Sequence, residues 1–127
     1  MFSKTFVGLL LLCLLGISNC FGSNFNSVFG NFNKVKGTHN GIVGSGNGVH
    51  GHYNGVMGHM NNVHGNFNGI VGSANNVCGS ANGVFGNFNN VHGNANGIQG
   101  HGNNVVGHLN GICGHGNNVY GIGNRIG

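Results

Sequence analysis

The chain has 127 residues, including 29 glycines and no proline, tryptophan, aspartate or glutamate, and its four lysines and arginines give a formal charge of +4. Without one carboxylate it has no general acid/base pair, no glycosidase pair and no Ser-His-Asp triad. It also lacks the carboxylate oxygens that a calcium site requires. The expectation is one domain that is not an enzyme.

The chain opens on Lys4 and an apolar run from Phe6 to Ile17, followed by Ser18, Asn19 and Cys20. A basic start, a short apolar stretch and small residues read as a secretory signal peptide over residues 1–20, with cleavage after Ser18 or Cys20. The competing reading is a membrane anchor, but a span needs roughly 20 apolar residues and this run falls well short. The remaining segment, 21–127, is then secreted and extracellular, with no membrane attachment after cleavage. Its only fixed charges are Lys34, Lys36 and Arg125. Three scattered cations do not track a phosphate backbone, so nucleic acid is not an expected partner.

From Asn24 the chain falls into heptads, beginning Asn24-Phe-Asn-Ser-Val-Phe-Gly30 and Asn31-Phe-Asn-Lys-Val-Lys-Gly37. Fourteen complete units reach Gly121 and a truncated fifteenth reaches Gly127. The third position is Asn throughout (Asn26 to Asn124), the fifth is Val or Ile (Val28 to Ile126), and the seventh is Gly in every complete unit. A seven-residue period suggests a coiled coil first. That reading fails, because only one position per unit is reliably apolar and every unit carries Gly and Asn, both poor helix formers.

Read as a strand, Asn-x-Val-x-Gly alternates, with Asn, Val and Gly inward and the two variable residues outward. The first two positions make a corner, where Gly permits positive φ or close backbone approach. From Gly55 the fourth position alternates Gly and Asn without error as far as Asn118, so odd and even heptads form different faces. The predicted fold is therefore an all-β solenoid, or β-roll, with two heptads (14 residues) per coil and about seven coils, roughly 34 Å long at ~4.8 Å per coil. Its thin core of two Val/Ile columns is flanked by stacked Asn side chains, which can hydrogen-bond as ladders.

The odd face carries Phe29, Val43, Met57, Val71, Phe85, Gln99 and Cys113 at the sixth position, beside Gly41, Gly55, Gly69, Gly83, Gly97 and Gly111. This apolar stripe beside a glycine stripe is the candidate interaction face. The even face carries Lys36, His50, His64, Cys78, His92, Val106 and Tyr120. His50, His64, Cys78 and His92 stand one coil apart and are the candidate ligands for Zn²⁺ or Cu²⁺, although no compact Cys-x-x-Cys spacing accompanies them. His52, His59, His101, His108 and His115 occupy first positions and are expected to line the corners. Cys78 and Cys113 are predicted on opposite faces, two and a half coils apart, where an internal disulfide does not fit.

The unit x-x-Asn-x-Val-x-Gly, two per coil, resembles the repeat of the grass ice-recrystallisation-inhibition proteins, and the resemblance covers Asn24 to Gly127. It implies a β-roll with valine columns and asparagine ladders, secreted to the apoplast or cell wall if the source is a plant, that binds ice and suppresses crystal coarsening. In that family the outward residues flanking Val on one face are often Thr or Ser. Here the fourth and sixth positions contain no Thr, and Ser27 is their only Ser. Ice, met by the odd face, is the first expectation. A structural matrix or cell-wall protein that self-associates end to end is the second, and metal capture by the histidine face is the third.

Overall fold

The computed structural model describes residues 25–127; the signal-peptide expectation lies outside them. The described residues are all β. One parallel sheet contains β1 (Ser27–Phe29), β3 (Gly41–Ser45), β5 (Gly55–His59), β7 (Gly69–Ser73), β9 (Gly83–Phe85), β11 (Gly97–Gln99), β13 (Gly111–Cys113) and β15 (Arg125–Ile126). The other contains β2 (Lys34–Lys36), β4 (Gly48–His50), β6 (Asn62–His64), β8 (Asn76–Cys78), β10 (Asn90–His92), β12 (Asn104–His108) and β14 (Asn118–Ile122). Odd strands pair only with odd and even only with even. Each residue is aligned with the one 14 positions on, as in Val28 with Ile42 and Val91 with Val105. This is the predicted two-sided β-solenoid of about seven coils.

The core consists of the fifth-position residues alone. Val35, Ile42, Val49 and their equivalents to Val119 are at most 3% exposed and form a single cluster between the sheets. At about 1.5–3 kcal/mol per buried aliphatic side chain, two columns one residue wide are a narrow hydrophobic base. The second source of cohesion is the asparagine at the third position. Twelve of them, Asn33 to Asn110, are buried.

Asn75 shows the pattern. Its Nδ2 donates to Asn61 Oδ1 (3.0 Å) and to the Gly86 carbonyl (2.8 Å). Its Oδ1 accepts from the backbone N–H (3.0 Å) and Nδ2 (3.1 Å) of Asn89. Both amide protons and both lone pairs are therefore engaged, and the same set recurs coil after coil. No buried side-chain polar atom lacks a partner among the described residues. That satisfaction makes a polar ladder tolerable beside so thin a core.

The corners are tight. Seventh-position glycines have φ between +115° and +144° from Gly30 to Gly121. The next residue but one, the second position of the following heptad, is left-handed. Eleven such residues are not glycine, among them Phe32, Tyr53, Met60, Phe67 and Leu109, with φ of 46–59°. Large side chains rarely adopt this conformation. Here each turn is clamped by backbone bonds to the coil before it, such as Tyr53 N–H to the Thr38 carbonyl (3.0 Å). The left-handed residues also stack on one another. Phe25, His39, Tyr53 and Phe67 form one column with ring centroids 5.2, 4.7 and 5.1 Å apart.

Candidate interaction surface

On the odd sheet the sixth-position side chains form an unbroken ridge. Phe29, Val43, Met57, Val71 and Phe85 are successive partners in the strand register and are 37–62% exposed. Gln99 and Cys113 continue the line. Beside it run Gly41, Gly55, Gly69, Gly83, Gly97 and Gly111, where a β-carbon would meet nothing within 4 Å. The glycine column is thus an open trough along the ridge. Between Gly41 and Cys113 no charged residue belongs to this face, and Arg125 takes the fourth position one coil beyond Gly111. All the odd-face residues singled out from the sequence lie together on this surface.

The even sheet is polar outside as well as inside. Asn62, Asn76, Asn90, Asn104 and Asn118 form a second, solvent-facing amide ladder, with Nδ2 to Oδ1 distances of 3.3, 3.1, 2.9 and 2.8 Å. His50, His64, Cys78 and His92 are consecutive in register, as expected, and the His50 and His64 rings lie 4.7 Å apart. Among the described residues no group of three or more such side chains is placed to hold a metal ion. The column explains this. Three ligands spaced one coil apart span about 10 Å, whereas ligands bound at ~2.0–2.3 Å must converge on one point. Cys78 and Cys113 are free, on opposite sheets.

The first position has a role that its residue types could have disclosed. From Asn31 to His115 it is Asn, Thr, Ser or His in every unit, always a side chain able to accept a hydrogen bond. In most coils that acceptor takes the backbone N–H of the residue 14 positions earlier. Asn87 Oδ1 accepts from Ser73 N–H (2.8 Å) and Asn94 Oδ1 from Ser80 N–H (2.8 Å). At four of the five histidines in the slot, Nδ1 does the same work, His52 Nδ1 receiving Thr38 N–H (3.2 Å). His101 Nδ1 receives Asn87 N–H (3.0 Å), His108 Nδ1 receives Asn94 N–H (3.1 Å) and His115 Nδ1 receives His101 N–H (3.1 Å). Nδ1 must therefore be unprotonated and Nε2 must carry the ring proton.

A side chain without an acceptor would leave these backbone N–H groups unpaired. A His101/His108/His115→Leu triple variant should therefore melt below the native protein, whereas the corresponding triple Asn variant, which keeps an acceptor in each slot, should melt close to it. Equal melting temperatures for all three proteins would remove the acceptor role.

No protein-family model matches the chain, and no curated protein matches it.

Proposed function

We propose that this protein is a secreted, non-enzymatic binding surface whose odd sheet meets ice and restrains ice recrystallisation. The observation that carries the reading is the regularity of the array. Every strand pair on this sheet keeps a 14-residue register. An uncharged face with a regular open trough is suited to holding an ordered water layer along Gly41 to Gly97, flanked by the ridge from Phe29 to Gln99. The resemblance to the grass ice-recrystallisation-inhibition repeat adds to this. The test is splat-cooled ice held below freezing with micromolar protein. The native protein should keep grains small, and Val71→Lys with Phe85→Lys should let them coarsen, since two strongly hydrated ammonium groups would disrupt the ordered water on this uncharged face. Unchanged inhibition by the double variant would move ice away from this sheet.

A second reading is an extracellular structural protein that self-associates. The specific observation in its favour is the exposed ridge, whose five apolar members are contiguous and large.

A further inference from the structure

The odd face is complementary in shape to itself. Its ridge and its trough run side by side with identical pitch, because both arise from one strand array with a constant 14-residue register. An occupant of the trough must present a line of apolar side chains one coil apart, and the ridge of another molecule is such a line. We infer that two copies of this chain pair through their odd faces, each laying its ridge along the other's trough.

The geometry allows only one orientation. A two-fold axis parallel to the solenoid carries the ridge across to the trough side at the same height, so Met57 of one copy lies at the level of Gly55 in the other, and Val71 at the level of Gly69. A two-fold axis perpendicular to the solenoid would set ridge on ridge and leave both troughs empty. The paired copies therefore run in the same direction and the contact is isologous. Two half-exposed Phe, one Met, two Val and the glycine strip offer on the order of 600 Å² from each copy, so the pair reaches about 1,200 Å², the lower bound for a specific stable interface. The ridge and trough between Gly41 and Cys113 carry no charge, so no ion is desolvated on pairing. Pairing covers the surface assigned to ice, so the two uses compete, but this inference rests on shape and is read by mass.

The experiment uses the full chain with Cys13, Cys20 and Cys78 replaced by Ser, leaving Cys113 as the only thiol. Sedimentation should show a mass that doubles as concentration rises. A short bismaleimide should join the copies through Cys113, because parallel pairing puts both thiols at one height; antiparallel pairing would separate them by about six coils, or 29 Å. The decisive variant is Gly55→Val with Gly69→Val. Neither glycine has a left-handed φ and neither position has a neighbour within 4 Å, so the strands accept valine. The new side chains fill the trough while adding apolar surface. Ridge-in-trough pairing should then weaken at least tenfold and the cross-link should fade, with the circular dichroism of the native fold retained. Pairing that persists or strengthens in that variant would mean unspecific apolar contact, and a native protein monomeric at every concentration would overturn the inference outright.

Discussion

Replacing Gly72 with alanine is expected to stop the middle of the solenoid from closing. The backbone there has φ of +138°, and an alanine β-carbon would lie 1.7 Å from the Gly86 carbonyl oxygen and 2.7 Å from its carbon. Both atoms belong to the backbone of the next coil, which is tied into the same sheet, so no side-chain rotation relieves the contact. Coils would have to separate by more than an ångström, breaking the strand bonds on either side. The loss should exceed about 4 kcal/mol, in the range reserved for steric failure of the backbone. Because each coil touches only its neighbours, stability is roughly additive along the stack. The variant should therefore melt in two stages or lose amide protection around coils four and five first. Gly69→Ala is the control. It lies three residues away on the same strand, its backbone is not left-handed and its β-carbon position is empty, so stability should change by less than about 1 kcal/mol and toward greater stability. If both variants melt alike, the close approach of coils at the seventh position is not what demands glycine.

Asn75→Leu should be the next most damaging change. It deprives the Gly86 carbonyl of a donor and leaves the backbone N–H and one Nδ2 proton of Asn89 facing a methyl group. Three polar groups left unpaired, two of them on buried Asn89 and one on half-buried Gly86, cost on the order of 4 kcal/mol together, more than a leucine can return by burying its own surface. Native-state hydrogen exchange reads the effect directly: the Asn89 amide should lose its protection relative to Asn103, one coil further on. A leucine variant as stable as the native protein would mean that the valine and isoleucine columns hold the coils together and the amide ladder only fills space.

Much of the architecture was readable in the chain because its code is positional. Asn at the third position, Val or Ile at the fifth and Gly at the seventh of each heptad leave an alternating strand and no room for a helix. The alternation of Gly55, Asn62, Gly69 and Asn76 separates the two sheets. Two things were hidden. The glycines at the fourth and seventh positions look equally insistent in the sequence, yet Gly69 stands over open space and Gly72 against a carbonyl. Residue identity carries no distance, so only the stacked backbone tells a forced glycine from a free one. The left-handed Phe32, Tyr53 and Met60 run against local preference, which places aromatic and long side chains in extended backbone. The stack overrides that preference by bonding the corner to its predecessor. The acceptor row, by contrast, was visible: a position held by Asn, Thr, Ser and His in turn has one shared property, a lone pair.

Amide ladder and corner glycine are the same on both sides of this molecule, but the core is not: Ile42, Ile70, Ile98, Ile112 and Ile126 all stand in odd heptads, and the even column is valine throughout. A deletion of seven residues would leave the Asn and Gly rules obeyed while exchanging left and right for everything downstream, setting isoleucine into the all-valine column. The ridge would stop halfway and resume on the opposite side among histidines. Gain or loss of fourteen residues, by contrast, would merely shorten or lengthen both faces. The smallest heritable change of length that keeps a continuous surface is thus twice the repeat visible in the sequence, and a slipped heptad would violate parity on the surface and in the core alike.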